Sequence, residues 1–209
     1  NTYPEWREDA AGRVHSGPVD LQAFADGLAA MVEHLVNKKG YTCIRWLCLN
    51  NEPGAWWQEP PGKYMMPYSA VRLVRKALDA KGLANIPICG MDISAPVPPQ
   101  YKTRPFEVSD QLGAYDFHSY SENFDWCTNG LMAVADLATA EWTAGTHKEG
   151  KAFFLSEFGT MANGWGADHP GPGSFDSALK DAELVVRRLN AGVDALNRWS
   201  FINRGDLDG

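Results

Sequence analysis

The sequence has little positive charge and no long apolar run. Its 19 lysines and arginines are outnumbered by 26 aspartates and glutamates, and no basic run exceeds two residues. The sequence therefore lacks the basic clusters that bind nucleic acid or an anionic membrane surface, and a neutral partner is expected. No apolar stretch approaches the roughly 20 residues that span a bilayer. The start, Asn1 to Pro4, lacks the features of a signal peptide and reads like the interior of a longer protein.

Cysteine and cofactor motifs are scarce as well. Four cysteines without C-x-x-C spacing are too few for a disulfide scaffold, so we expect buried free thiols. The sequence contains neither G-x-G-x-x-G nor a Walker motif, which disfavours a nucleotide-dependent enzyme. The five histidines show no ligand spacing, so a metal centre is not expected. We predict chemistry that needs no cofactor.

The apolar pattern alternates between helix and strand along the whole chain. The predicted helices cover 21–36, 67–81, 131–144 and 174–190, and the predicted strands cover 41–49, 86–91, 114–120, 152–158 and 193–203. Such alternation predicts a parallel α/β architecture.

The number of strands suggests an incomplete barrel. A closed (β/α)8 TIM barrel has eight strands in typically about 250 residues, whereas only five can be counted here. We therefore predict a single partial catalytic barrel domain over residues 1–209 that holds about the last five strands and their helices. An open barrel would expose strand edges, so the missing strands are expected upstream in the same protein or in another chain.

Polar side chains follow three of the predicted strands at the point where each strand ends. They belong to Asn51-Glu52, to His118-Ser119-Tyr120 and to Glu157. In a (β/α)8 barrel the carboxyl ends of the strands build the active-site face. Hydrolysis of a glycosidic bond needs one carboxyl to protonate the leaving oxygen and a second to attack or stabilise the anomeric carbon. The pair Glu52 and Glu157 supplies both groups.

Two of these segments resemble a known family. Residues 44–53, which contain Asn-Glu-Pro, and residues 153–159, which contain Glu-Phe-Gly, are similar to the fourth-strand and seventh-strand motifs of clan A glycoside hydrolases. The family five cellulase-like and family thirty-nine-like enzymes look nearest. Asn-Glu-Pro alone is a weak signal, but its combination with His-x-Tyr, Glu-Phe-Gly and a late Trp, in matching order over nearly the whole chain, is specific.

The resemblance implies a retaining hydrolase of a β-linked glycan and slightly favours a secreted or periplasmic location. It makes Glu52 the general acid/base, Glu157 the nucleophile and Asn51 a hydrogen-bond donor to the sugar hydroxyl next to the reacting carbon. It also places His118 and Tyr120 beside the nucleophile, with Tyr120 orienting it, and makes Trp199 the floor of the cleavage subsite. The first three strands of the clan, with an Arg that pairs with the nucleophile in many members, are absent from this sequence.

Other interpretations of the same residues stay open. Glu52 could be a solvated carboxylate in a turn, Glu157 could belong to a structural ion pair, and His118 alone would more often be a core histidine. Trp56 and Trp57 follow Asn-Glu-Pro in a loop, which favours sugar stacking over burial. The alternative function is a non-catalytic carbohydrate-binding barrel with an aromatic cleft. In a retaining enzyme the two carboxyl groups should lie about 5 Å apart, and a separation beyond roughly 9 Å would exclude retention.

Overall fold

The computed structural model describes residues 7–8, 14–15, 18, 20–49, 51–52, 66–94, 104–121, 131–160 and 175–199. The chain divides into two compact units, which comprise residues 1–114 and 115–209. We call them the N-terminal unit and the C-terminal unit and describe each by itself. The prediction of a single domain over 1–209 stays a prediction.

The described residues of the N-terminal unit form two helices and four complete strands. Its elements are β1 (Arg7–Glu8), β2 (Val14–His15), α1 (Leu21–Glu33), β3 (Leu47–Cys48), α2 (Met66–Ala80) and β4 (Ile88–Ser94). Helix α1 continues as a π-helical segment over His34–Lys38, and a 3-10 segment over Arg104–Gln111 leads into strand β5 (Leu112–Ser121), whose first three residues belong to this unit.

Helix α1 begins where the sequence supplies a cap. The carboxylate of Asp20 accepts hydrogen bonds from the backbone N–H groups of Gln22, at 2.9 Å, and Ala23, at 3.0 Å. These bonds satisfy two donors that the first turn of a helix cannot pair internally. Helix α1 packs against α2. The buried side chains of the two helices belong to Ala25, Leu28, Ala29 and Val32 in α1 and to Ala70, Val71, Val74 and Leu78 in α2.

Strand β3 is short and lies first in the strand order β3-β4-β5. It pairs with β4 in parallel, with Cys48 opposite Cys89. Cys89 is buried, but Cys43 and Cys48 are exposed, so the expectation of buried thiols is wrong for these two. For Cys48 the physical reason is that β3 has only one neighbouring strand among the described residues, whereas β4 lies between two. Cys43 lies before β3, outside the sheet.

In the C-terminal unit, the described residues form the rest of β5 and two further helix and strand pairs. Its elements are α3 (Leu131–Lys148), β6 (Ala152–Thr160), α4 (Phe175–Asn190) and β7 (Ala195–Arg198), and its strand order is β5-β6-β7. Strand β6 pairs with β7 in parallel. The ring of Phe153 on β6 stacks on Phe117 of β5, with centroids 5.1 Å apart, and on Trp142 of α3 at 6.1 Å. This aromatic group joins the sheet to α3.

Among the described residues the elements follow the predicted alternation, and their bounds differ in several places. The predicted strand 41–49 is a strand only at Leu47–Cys48, the last strand begins at Ala195 instead of residue 193, and the hairpin of β1 and β2 was not predicted. Strands that follow one another in chain order, with helices between them, are typical of a (β/α)8 barrel. None of the helices that the structure describes has the length and apolar character needed to cross a bilayer.

Candidate active site

Glu52 lies beyond the end of β3 in an unusual backbone conformation. Its φ is +46°, in the left-handed region that residues other than glycine rarely adopt. Asp92, in β4, is also left-handed, with a φ of +53°. The backbone N–H of Glu52 donates to the carbonyl oxygen of Asp92 at 3.0 Å. Left-handed residues other than glycine are strained, and strained residues are concentrated at functional sites.

Glu157 lies in β6 beside a buried histidine. Its Oε2 is 3.3 Å from Nδ1 of His118 in β5. The His118 side chain is fully buried, and the Glu157 side chain is 19% exposed. When Nδ1 carries a proton, the imidazole presents an N–H to the carboxylate and can orient it. The structure therefore brings together two residues that the sequence predicts to share a site.

An irregularity in β6 sets the direction of Glu157. Leu155 pairs with Leu196, but the next pair joins Phe158 to Arg198, so two residues of β6 oppose one residue of β7. This is a β-bulge, which adds one residue to a strand and redirects the side chains that follow. Glu157 is one of the two residues in the bulge.

The bulge explains why Glu157 reaches His118. Phe153 stacks on Trp142 of α3 and also on Phe117, so both phenylalanine rings are on the helix-facing side of the sheet. His118 follows Phe117 and points to the opposite face, as successive residues of a strand do. Strict alternation from Phe153 would place Glu157 on the helix-facing side. The extra residue shifts the alternation and puts its carboxylate beside His118.

Trp199 lies directly after β7, next to the strand that carries Glu157. Its backbone N–H donates to the carbonyl oxygen of Phe158 at 2.9 Å. A Cβ at Gly159 would lie 3.1 Å from the Trp199 carbonyl oxygen and 3.1 Å from Nη1 of Arg198. The glycine of Glu-Phe-Gly therefore permits the close approach of β6 and β7 at this point.

For the remaining predicted site residues, the structure describes only part of the chain or of the side chain. Asn51 is half-buried immediately before Glu52. Tyr120 lies in β5, but its side chain is outside the described residues, as are Trp56 and Trp57. Glu52 belongs to the N-terminal unit, whereas Glu157 belongs to the C-terminal unit together with His118 and Trp199. The pairing of Glu52 with Glu157, and the catalytic role of each, stay predictions.

The sequence analysis missed one residue of the site region. Asp92 interrupts the apolar run of β4, is 8% exposed and accepts the Glu52 N–H through its carbonyl group. Asp92 directly follows the predicted strand 86–91, so the rule that polar residues at strand ends mark the active-site face was a usable signal for it as well.

Comparison with known proteins finds similarity in structure alone. No family model matches the sequence, and no curated protein matches it. A GH39 β-xylosidase from Caulobacter crescentus superposes with a TM-score of 0.62 at 14% identity, covering 87% of this chain and 39% of that one. A modular endo-β-1,4-mannanase from Cellulomonas fimi gives 0.62 at 16% identity, covering 88% of this chain and 41% of that one. An α-L-arabinofuranosidase from Thermotoga maritima gives 0.59 at 13%, covering 86% and 41%.

The fold is part of a (β/α)8 barrel. The predicted fold class is therefore confirmed, and so is the resemblance to clan A glycoside hydrolases at the level of fold. The chain spans about two fifths of the length of these solved structures. Because a (β/α)8 fold hosts many chemistries, the activity has to be argued from the site.

Proposed function

We propose that this chain carries the catalytic half of a retaining glycoside hydrolase that cleaves a β-linked glycan. The observation that supports this most is the contact between Glu157 and the buried His118 on the face of the sheet that turns away from the helices. Such a contact can orient a carboxylate, and Glu157 lies in the second half of β6, toward the carboxyl ends of the strands where barrel enzymes place their catalytic groups. Two of the similar solved structures are named as enzymes of β-linked sugars, a β-xylosidase and an endo-β-1,4-mannanase.

The proposed reaction runs in two steps. In the first, Glu157 attacks the anomeric carbon while Glu52 gives its proton to the leaving oxygen, and a covalent glycosyl-enzyme forms. In the second, Glu52 takes a proton from water, which displaces Glu157 from the sugar. Two inversions leave the anomeric configuration unchanged. No cofactor is required, since the two carboxyl groups perform all of the proton transfer and the nucleophilic attack.

The substrate is proposed to be an oligo- or polysaccharide held by polar and aromatic side chains. Asn51 would bind the hydroxyl next to the reacting carbon, and Tyr120 would orient Glu157. Trp199 would pack its broad apolar face against the C–H groups of the sugar in the cleavage subsite. Trp56 and Trp57 would stack on sugars beyond it. Besides the saccharide, the proposed partner is the N-terminal part of the same barrel. We also propose a secreted or periplasmic location.

The direct test uses the full-length protein on a panel of aryl β-glycosides, with the first product observed by NMR. The proposal predicts that the β-anomer appears first and that Glu157→Gln lowers kcat by about a thousandfold or more. Glu183→Gln is the matched control, because it changes a glutamate of helix α4 whose partner is Arg187 of the same helix. An α-anomer as first product would contradict retention. Binding of glycans without turnover of any would favour the carbohydrate-binding barrel.

A further inference from the structure

An ion pair joins helix α4 to the end of β7. Nε of Arg198 donates to Oδ2 of Asp181 at 2.6 Å, with side chains 29% and 21% exposed. Arg198 is the last residue of β7 and immediately precedes Trp199. The position of this strand end therefore depends on a carboxylate of the helix that packs against the sheet.

The same guanidinium group also contacts the strand that carries Glu157. Nη1 of Arg198 would lie 3.1 Å, and its central carbon 3.3 Å, from a Cβ built on Gly159. Arg198 thus lies between the helix carboxylate on one side and the Cα of Gly159 on the other. A lysine could keep the charge, but its single ammonium group lacks the planar fork that reaches both neighbours.

These contacts lie where the β-bulge of β6 ends. Phe158 pairs with Arg198, and the Phe158 carbonyl accepts the Trp199 N–H at 2.9 Å. Glu157 sits between this pair and the preceding pair of Leu155 with Leu196. A bulge is a local departure from the sheet ladder, so its geometry is sensitive to the contacts at its two ends. At the end next to Phe158, those contacts include Arg198.

We propose that Asp181 and Arg198 are positioning residues for the nucleophile. Their ion pair fixes the end of the β6 bulge and thereby aims Glu157 at the reacting sugar, and it holds Trp199 in place beside it. The inference rests on the proposed function, and it assigns a role to two side chains outside the site itself. A partly exposed ion pair contributes little to the free energy of unfolding. Its removal should therefore change the orientation of the Glu157 side chain more than the stability of the fold.

The kinetic test compares Asp181→Asn and Arg198→Lys with Glu183→Gln in the full-length protein. Glu183 forms an ion pair with Arg187 one turn along the same helix, at 2.6 Å, and serves as the matched control. We expect kcat on aryl glycosides to fall about 10- to 100-fold in both test variants, because a displacement of about 1 Å can cost that much. KM should stay within about twofold, and the control should keep wild-type kinetics. Equal kcat for Asp181→Asn and Glu183→Gln would overturn the inference.

A second readout does not depend on activity. The ¹⁵N shifts of the His118 ring, assigned by comparison with a His118→Asn variant, report the carboxylate of Glu157 beside Nδ1. We expect Asp181→Asn to move these shifts and Glu183→Gln to leave them in place. Unchanged shifts in Asp181→Asn would overturn the positioning role. Inactivity of the wild type on every glycoside would contradict the proposed function alone, since the shifts would still decide the role of Asp181.

Discussion

Glu157 and His118 meet at 3.3 Å between Oε2 and Nδ1, although strict alternation along β6 would put the Glu157 carboxylate on the opposite face of the sheet. The β-bulge in β6 and the buried imidazole of His118 together set the direction of the Glu157 side chain. Mutations can change each of these two features separately.

His118→Asn should lower kcat/KM about 10- to 100-fold, because it removes the ring whose Nδ1 lies 3.3 Å from the Glu157 carboxylate, and a polar contact with a charged group contributes about 1.5–3 kcal/mol. The loss has a local cause, since the ring contacts Glu157 directly. Steady-state kinetics on an aryl glycoside measure it. His34→Asn, at an exposed position of the π-helical segment, is the control. Unchanged kinetics in His118→Asn would show that this side chain is a core histidine without influence on the nucleophile.

The strained pair of Glu52 and Asp92 leads to a second prediction. Asp92→Val forces a β-branched residue to a φ of +53°, so it should reduce the free energy of unfolding by about 1–3 kcal/mol and lower kcat. Asp92→Gly and Asp92→Asn tolerate this conformation and should keep the Glu52 N–H bonded to the carbonyl oxygen. Chemical denaturation and kinetics on the three variants test this. If valine is tolerated as well as glycine, the backbone strain has no part in holding Glu52.

Asp194 leads to a prediction about pH. Partial burial raises its pKa, but hydrogen bonds from His147, at 2.9 Å, and from the Phe153 N–H, at 2.8 Å, outweigh this and hold the pKa below its usual range. A carboxyl group with a lowered pKa in the folded state stabilises the protein above its unfolded pKa, and this contribution is lost as the pH falls through the folded pKa.

Asp194→Asn should therefore lower the thermal midpoint by a few degrees at pH 7, and the difference from wild type should shrink as the pH approaches 3. Thermal unfolding over this pH range measures it. Asp26→Asn, an exposed position on α1 whose carboxylate accepts from Gln22, is the control. A difference between Asp194→Asn and wild type that is the same at every pH would contradict the assignment.

The sequence predicts the fold well because its helices and strands carry distinct periods and because apolar strands end abruptly in polar residues. In the structure Glu52 and Trp199 lie beyond the ends of β3 and β7, whereas His118 and Glu157 lie inside β5 and β6, which extend past the predicted strands. The face on which Glu157 lies cannot be read in this way, since a bulge leaves no mark in the residue types. The left-handed backbone of Glu52 and Asp92 cannot be predicted either, because a positive φ is expected from the sequence mainly at glycine, and neither residue is a glycine.

The exposure of Cys43 and Cys48 is a different kind of failure. The apolar residues around both cysteines predict a buried strand over 41–49, with a neighbouring strand on each side. Only Leu47–Cys48 forms a strand, and among the described residues this strand has a neighbour on one side only. The type of residue around a cysteine does not reveal how many strands flank it.

Azide rescue tests the central claim, the roles of Glu157 and Glu52, most directly. In the full-length protein, Glu157→Gly should be inactive on an aryl β-glycoside and regain turnover with azide, and the product should be the α-glycosyl azide, since the anion attacks from the side that the missing carboxylate occupied. Glu52→Ala on a substrate with a good leaving group should give the β-glycosyl azide. A β-azide from Glu157→Gly, or no effect of azide on either variant while the wild type is active, would contradict the assignment.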